Sequence, residues 1–409
     1  MCLVTFFKNR SFCLQMTSML HIPDKRPIMS LPSAVAVVFA VTAMFSLSHI
    51  SASAATMEQT LPSSSYTTII NTSSWMANLP LSVRTAPLKH LIVPGSHDSA
   101  TYTLDIAATP PMQGAIYQVL LDLLADPLTA LIADAPIHDL TLTQRGMIAP
   151  FQLESGIRAF DLRVLYNPAN VQLGLDPYFF SHSFAAVPMN ETLRGIASFL
   201  SSHLGEVIIV QLSVDWEHRN QTMPQLPTVM SIVRDVLGEW LVPVPTSTND
   251  YANYFVDTSL VNLVEAGTRV LFSLDESSVN VSAFPGIWNA SAVNTFWPNG
   301  QTANMSMTTI YEYLYGTDPN TTMPENNNDQ LNLVFFTITP SDASIVQNVL
   351  DHIWNLTNVT SLRDYAQEMR LPTLATLAKA VGEEKKRINI VSIDWPDAEM
   401  ISAIIALNH

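Results

Sequence analysis

The chain has 409 residues and a mass of 45.1 kDa. It is 48% hydrophobic and only 13% charged, so it can bury a large core and is not a disordered tail. Lys and Arg number 19 against 35 Asp and Glu, a net charge of −16, which argues against a polybasic surface and against nucleic acid as a partner. Both cysteines, Cys2 and Cys13, lie near the start, which excludes a disulfide framework or a cysteine-built zinc site in the rest of the chain.

The N-terminal segment has the order of a secretory signal. Basic residues at 8, 10, 25 and 26 precede an uncharged apolar run at 33–47, and small residues follow at 51–55. We predict a signal peptide over residues 1–55, cleaved after Ala54, with Met19 as an alternative start of translation. A retained signal anchor is the other interpretation, although the apolar run is shorter than the ~20 residues that span a bilayer. Both place residues 56–409 outside the cell or in a lumen.

Glycosylation sequons support a secreted protein. They stand at Asn71, Asn190, Asn220, Asn280, Asn289, Asn304, Asn320, Asn355 and Asn358. Their number is typical of a glycoprotein, while chance matches in an Asn- and Thr-rich chain are the alternative. Removal of residues 1–55 takes away four basic residues and Asp24 and brings the net charge to −19.

Short apolar runs alternate with helix-like segments along residues 56–409. The predicted strands are 90–93, 157–165, 178–180, 207–212, 270–274, 333–338 and 388–393, with a weak eighth at 295–297. The predicted helices are 115–131, 191–202, 229–240, 345–354 and 372–381. Continuous apolar strands separated by helices are typical of a buried parallel sheet. The pattern therefore predicts an α/β fold with an eight-stranded barrel of ordinary size as one domain.

Two segments interrupt this alternation. Residues 105–150 are rich in Leu and Ala, and residues 299–330 are rich in Asn and Pro. We predict the second as a surface loop that carries glycans at Asn304 and Asn320. Helix 115–131 is a candidate for membrane contact at the barrel rim, with a buried helix of the outer layer as the alternative.

Polar residues follow four of the apolar runs. They are PGSHDS at 94–99, FDLR at 160–163, SHS at 181–183 and IDW at 393–395. A parallel barrel places its chemistry where strands end. Asp161 and Arg163 point to one side of a strand, because side chains alternate with period 2. Each histidine alone is more often structural, but this combination at four strand ends favours an active site.

The residue types suit cleavage of a phosphodiester without a metal. A neutral His can take a proton from an attacking hydroxyl, a protonated His can give one to the leaving oxygen, and Arg can offset charge on the phosphate. A carboxylate behind the base fixes its tautomer. We therefore expect no cofactor.

These residues lie in motifs that resemble the phosphatidylinositol-specific phospholipase C X-domain proteins, especially the compact X-domain-only group and the bacterial enzymes. The matching pieces are WMANLP at 75–80, LIVPGSHDS at 91–99, QLESGIRAFDLR at 152–163, SH at 181–182, EVIIV at 206–210, WPN at 297–299, TP at 339–340 and IVSID at 390–394. They follow the family's order and cover residues 74–397.

The resemblance implies an irregular (β/α)8 barrel and a role for each site residue. His97 would be the general base with Asp394 as its partner, His182 the general acid, and Arg163 the phosphate clamp, assisted by Asp98. The resemblance also implies that Asp161, Trp297 and Asn299 contribute to substrate binding. In the family reaction the inositol 2-hydroxyl attacks phosphorus and releases diacylglycerol and an inositol 1,2-cyclic phosphate.

The sequence departs from its relatives at two places that concern metal and head group. Calcium-dependent relatives have an acidic ligand where this chain has Arg163, which predicts a metal-independent enzyme. Bacterial members hold inositol with basic residues after the fourth and fifth strands, whereas the exits here read LSVD at 212–215 and LDE at 274–276. With so acidic a chain, we expect unphosphorylated phosphatidylinositol or a glycosylated derivative as substrate, reached by transient contact with a membrane surface.

Two other functions stay open at this point. One is a metal-dependent phosphodiesterase of the glycerophosphodiester or sphingomyelin type, which would need a carboxylate set beside its histidines. The other is a secreted barrel glycoprotein without catalytic activity. The sequence leaves the oligomeric state undetermined.

Overall fold

The computed structural model describes residues 71–409 apart from 112–114, 126, 216–222, 277–278, 318–321, 325–329 and 354–360. The predicted signal segment and the sequons at Asn220, Asn320, Asn355 and Asn358 lie outside the described residues. The described residues belong to one compact unit.

A curled parallel sheet forms the centre of the fold. The ten strands are β1 (Val93–Ser96), β2 (Ala159–Tyr166), β3 (Tyr178–His182), β4 (Phe184–Pro188), β5 (Ile208–Val214), β6 (Val270–Leu274), β7 (Ile287–Asn289), β8 (Val293–Phe296), β9 (Leu331–Phe336) and β10 (Ile390–Ile393). Eight of them pair in the order β7-β6-β5-β2-β1-β10-β9-β8, and every ladder along this path is parallel. Among the described residues no ladder joins β7 to β8. The predicted α/β barrel is confirmed in this irregular form.

One predicted barrel strand has a different place. Strand β3 pairs antiparallel with β2 and with β4, so the run at 178–180 forms a hairpin beside the barrel. Its apolar side chains do not reveal strand direction, because buried strands of either direction look alike in sequence. The prediction missed β7, which takes the place of β3 in the parallel set and has only three residues.

Strand β1 lies further along the chain than predicted. The run at 90–93 only begins to pair at Val93, because residues Leu88–His90 form a 3₁₀ turn. The strand itself reads VPGS, which has little β-propensity. Gly95 fits because its neighbours are close: a Cβ there would lie 3.0 Å from Ile390 Cγ2 and 3.2 Å from Ala159 Cβ.

Helices pack around the sheet. The α-helices are α1 (Trp75–Asn78), α2 (Leu81–Arg84), α3 (Ala115–Ala125), α4 (Pro127–Thr141), α5 (Leu153–Ser155), α6 (Pro168–Gln172), α7 (Met189–Ser202), α8 (Leu226–Leu237), α9 (Thr248–Asp257), α10 (Leu260–Ala266), α11 (Ala303–Tyr315), α12 (Asp342–Ile353), α13 (Leu362–Leu377) and α14 (Ala398–Ala406). Short π-helical segments occur at Ile148–Gln152 and Ala378–Glu383. In the described part of the chain, no helix has both the length and the apolarity needed to cross a membrane.

Two predictions for the inserted segments need correction. Residues 299–330 are not a plain loop, because they contain α11, which Thr302 caps through its side chain. Ile310 and Leu314 of this helix are buried in the core, and this burial stabilises a helix that an Asn-rich sequence does not announce. The predicted helix 115–131 consists of parts of α3 and α4, whose described side chains Leu120, Leu124 and Ile137 are buried.

A buried ion pair holds residues 73–77, which precede β1, at the amino ends of the strands. Arg158 Nε lies 2.9 Å from Glu206 Oε2, and both side chains are fully buried. Glu206 also accepts hydrogen bonds from the backbone N–H groups of Met76 and Ala77, at 3.3 and 2.9 Å. Arg158 donates to the carbonyl of Ser73 at 2.7 Å. The pair therefore fixes the chain before β1 to the end of the barrel opposite the strand exits.

Candidate active site

The carboxyl ends of the strands surround an open cavity of about 460 Å³. Asp161 and Arg163 of β2 are in register with Gln211 and Ser213 of β5, and alternation along both strands turns these four side chains to the interior. The lining also includes His97, Thr143, His182, Asp215, Asp275, Thr295, Trp297, Phe335, Thr339 and Asp394. The predicted strand-end residues thus meet at one face of the barrel.

His97 is held at its ring by a carboxylate and at its backbone carbonyl by a side-chain amide. It follows β1 directly, and its Nδ1 lies 2.9 Å from Oδ1 of Asp394, which follows β10. The side chain of Gln144 donates to the His97 carbonyl at 2.6 Å. Strands β1 and β10 are paired, which explains why residues about 300 positions apart in sequence are neighbours. The contact with Asp394 fixes the orientation of the imidazole.

Asp98 is the centre of the charged cluster. Its Oδ1 lies 2.6 Å from Arg163 Nε, and its Oδ2 lies 3.0 Å from His97 Nε2 and 3.3 Å from His182 Nε2. The side chain is fully buried, and its backbone has a φ of 42°. Its N–H donates to Asp161 Oδ2 at 3.1 Å. One carboxylate therefore links both imidazoles to the guanidinium.

His182 comes from the β3–β4 hairpin beside the barrel. Asp215, just after β5, accepts hydrogen bonds from the Ser181 hydroxyl at 2.6 Å and from the Ser183 N–H at 2.9 Å. This clamp on both neighbours positions His182, whose ring centroid lies 6.3 Å from that of His97. The His182 side chain is 30% exposed at the cavity, while that of His97 is 8% exposed. The hairpin thus supplies the more accessible imidazole.

The two imidazoles differ in their affinity for a proton. Burial lowers the pKa of His97, but the charges of Asp98 and Asp394 outweigh it and raise the pKa to about 9. Burial also lowers the pKa of His182, and the Asp98 charge is offset by Arg163 and His97, so its pKa stays below the usual value. The empty site therefore favours a charged His97 and a neutral His182.

The carboxylates divide in the same way. Arg163 and the two histidines hold the pKa of Asp98 below its usual range against the effect of burial. Burial raises the pKa of Asp161 and of Asp394, even though cationic neighbours act in the opposite direction. Asp98 is thus the carboxylate that these neighbours keep most firmly ionised.

A cation could in principle meet three ligand atoms of this cluster. His97, Asp98 and Asp161 each offer one such atom, all within 4.8 Å of one another. The Arg163 guanidinium lies against the same carboxylates, 2.6 Å from Asp98 and 4.0 Å from Asp161. A second positive charge there would meet repulsion, so the charge pattern favours a site whose fixed cation is arginine.

The predicted substrate-binding residues have different surroundings. Trp297 lies 5.9 Å from the His97 ring and 5.6 Å from the Arg163 guanidinium, and its indole N–H donates to Thr339 Oγ1 at 3.0 Å. Asn299 is exposed and does not line the cavity. Asp161 lies beneath Arg163 and holds the Asp98 backbone.

Sequence reasoning did not assign the polar wall of the cavity formed by Gln211, Thr295 and Asp275. Gln211 donates to Thr295 Oγ1 at 2.9 Å and lies 3.5 Å from Asp275 Oδ2, and all three side chains line the cavity. Polar residues within or just after buried strands were the signal for them, as they were for Arg163 and Asp394.

Comparisons with known proteins agree with this architecture. No family model matches the chain. PI-PLC X domain-containing protein 3 of Danio rerio is 25% identical over 338 residues, which cover 82% of this chain and 92% of the relative. The Homo sapiens protein of the same name is 25% identical over 337 residues, covering 82% and 93%. PI-PLC X domain-containing protein 1 of Danio rerio is 32% identical over 144 residues, 34% of this chain and 43% of the relative.

Two solved structures share the fold. Phosphatidylinositol-specific phospholipase C from Listeria monocytogenes has a TM-score of 0.52 and 19% identity, covering 83% of this chain and all of the other. The Staphylococcus aureus enzyme has a TM-score of 0.51 and 15% identity, covering 83% and 98%. The resemblance found in the motifs is confirmed: over 82% of its length the chain is similar to PI-PLC X domain-containing proteins, and it shares its fold with the bacterial phosphatidylinositol-specific phospholipases C.

Proposed function

We propose that the protein is a phospholipase C-type phosphodiesterase that cleaves phosphatidylinositol-type lipids without a metal ion. The observation that carries this proposal is the contact of one buried carboxylate, Asp98, with two imidazoles and a guanidinium at 2.6 to 3.3 Å. The cluster opens into a cavity at the strand exits. A phosphate that enters there would meet Arg163 together with an acid and a base.

The proposed reaction needs only groups of the site and the substrate. A hydroxyl next to the phosphate attacks phosphorus and gives its proton to His97. The bond from phosphorus to the diacylglycerol oxygen breaks, and this oxygen takes a proton from His182. The products are diacylglycerol and a cyclic phosphate, which water opens with the roles of the two histidines reversed.

The proton affinities support this direction. The reactive form carries its proton on His182, while the empty site favours His97. The first step moves a proton onto the imidazole with the higher pKa and takes one from the imidazole with the lower pKa. This arrangement has a cost, because the form with the proton on His182 is the less populated of the two singly protonated forms of the histidine pair.

The polar wall supports a head group rich in hydroxyls. Gln211, Thr295 and Asp275 can exchange hydrogen bonds with hydroxyl groups. Arg163 is placed for the phosphodiester itself. We therefore propose unphosphorylated phosphatidylinositol or a glycosylated derivative as substrate.

Phosphorus NMR of the protein incubated with phosphatidylinositol tests this proposal. We expect a cyclic phosphate resonance that grows at the same rate with and without a chelator. Activity that disappears in chelator and returns with calcium would favour a metal-dependent phosphodiesterase. Saturable lipid binding without any product would favour a non-catalytic barrel.

Substitution of Arg163 by Lys tests the phosphate clamp. We expect a loss of about 10²-fold in turnover, because a point charge does not reproduce the planar two-pronged contact of a guanidinium. Steady-state kinetics on phosphatidylinositol measure it. Arg370→Lys is the control, since Arg370 pairs with Asp397 and Glu399 on the surface. A rate within twofold of wild type for Arg163→Lys would remove this residue from the clamp.

The turnover rate should decrease at the alkaline pH at which the histidine pair loses its single proton. Because the raised pKa of His97 is about 9, the rate should fall above pH 9, where both imidazoles become neutral and no acid remains. In Asp394→Asn the raising effect of the carboxylate is lost, so this limb should move to lower pH while the plateau rate drops about 10²-fold. Rates measured from pH 5 to 10 check both. An alkaline limb that stays in place would separate Asp394 from the proton affinity of His97.

We also propose that the protein is secreted and glycosylated. Of the five described sequons, those at Asn71, Asn280, Asn289 and Asn304 are exposed, as glycan addition requires, and the one at Asn190 is half-buried. Protein from a eukaryotic culture medium should lose mass on treatment with peptide N-glycosidase. An unchanged mass would contradict the glycoprotein assignment.

A further inference from the structure

The loop between β2 and β3 exposes apolar side chains to solvent. Val171, Leu173 and Leu175 are 54%, 71% and 58% exposed, and no residue from 167 to 175 carries a charge. Single exposed apolar residues are ordinary on a protein surface. Three within five residues on one short loop indicate an interaction surface.

The two asparagine side chains of this loop face inward. Asn167 and Asn170 are buried, whereas Gln172 is exposed. The Asn167 amide donates to the Ala108 carbonyl at 2.9 Å, and the Asn170 amide donates to the Asp176 carbonyl at 3.0 Å. These bonds give the loop a defined shape, with its apolar side chains left on the outside. This is the reverse of a typical water-exposed loop, whose polar groups face solvent.

The strand registers place the loop at the active-site end of the barrel. Val164 of β2 pairs with Val214, the last residue of β5, and Tyr166 pairs with Tyr178 of β3. The loop therefore begins beyond the end of β5. Arg163 precedes Asn167 by four residues on the same chain, so the loop extends past the reactive groups on the side where the cavity opens.

We propose that this loop, residues 167–175, docks the protein on the interfacial zone of a lipid bilayer. A partner without net charge suits a charge-free loop on a chain of net charge −16, because anionic lipids would be repelled. The docking proposal rests on the proposed function in one respect: a lipid substrate requires the cavity to face the membrane. Among described residues, this surface replaces the rim predicted for 115–131, where Leu120 and Leu124 are buried.

An environment-sensitive dye on the loop tests the docking directly. The dye is attached at Leu173→Cys in a background with Cys2→Ser and Cys13→Ser, and phosphatidylcholine vesicles are added. We expect a blue shift of its emission. The matched control is Leu204→Cys, because Leu204 is 70% exposed but lies before β5, at the opposite end of the barrel. Its dye should not shift.

Partition and activity complete the test. The double variant Leu173→Ser/Leu175→Ser should bind phosphatidylcholine vesicles about tenfold or more weakly than wild type, while Leu204→Ser should bind equally well. Cleavage of a soluble inositol phosphodiester without acyl chains should be unchanged. Absence of a dye shift at position 173, or an equal shift at 204, would overturn the proposal.

Two further outcomes are informative. Light scattering that shows a wild-type dimer, dissolved by the double variant, would assign the loop to a second copy of this chain and overturn lipid docking. A protein that docks but forms no product would refute the proposed function and leave the docking surface intact.

Discussion

His97→Ala is expected to lower turnover of phosphatidylinositol by about 10²- to 10⁴-fold, the usual contribution of a general acid–base group. The substitution removes the imidazole between Asp98 and Asp394, which lies 3.0 and 2.9 Å from these carboxylates. It also leaves two buried carboxylates with less compensation. Single-turnover and steady-state rates measure the effect, with His182→Ala expected in the same range.

His138→Ala is the matched control for the histidine variants. His138 is partly exposed in α4 and lies 3.6 Å from Asp134 on the same helix, outside the described lining of the cavity at the strand exits. Its rate should equal that of wild type. A wild-type rate in His97→Ala, with the protein folded, would remove His97 from the reaction.

Glu206→Gln should lower the free energy of unfolding by about 3–5 kcal/mol, as expected when a buried ion pair loses one charge. The change leaves the fully buried Arg158 guanidinium without its carboxylate. Burial already lowers the pKa of Arg158, and Glu206 is the main group that counteracts this. Urea unfolding followed by circular dichroism measures the loss.

A surface pair gives the comparison for Glu206→Gln. Glu399 is 77% exposed and pairs with Arg370, so Glu399→Gln should cost only about 0–1 kcal/mol. Equal losses in the two variants would show that the buried Arg158–Glu206 pair stabilises the fold no more than a surface pair does.

The site residues taken from the motifs mostly converge, and the reason lies in the barrel itself. His97, Arg163 and Asp394 come at or after parallel strands, whose carboxyl ends share one edge. His182 reaches the same place by a different route, on an antiparallel hairpin clamped by Asp215. Asn299 does not line the cavity. The three-residue motif that suggested it carries no information on side-chain direction, so the sequence could not reveal this.

The proton affinities depended on distances that no motif contains. Asp98 follows His97 in the chain, but its contacts with Arg163 and His182 come from β2 and β3. The charges of Asp98 and Asp394 raise the pKa of His97, so the site favours a charged His97, whereas the motif-based role of general base needs it neutral. The roles stay a prediction, now with a defined cost for reaching the reactive form.

Composition, apolar runs and strand-end motifs were enough to predict an α/β barrel, a phosphodiesterase-type residue set and an acidic chain, because these follow from local patterns and the alternation of strands and helices. The direction of strand β3, the short β7 and helix α11 were decided by tertiary packing. Burial against distant neighbours stabilises these three elements, while hydrogen bonds of two buried asparagines shape the apolar loop at 167–175. The amino-acid pattern of a single segment contains no record of such neighbours.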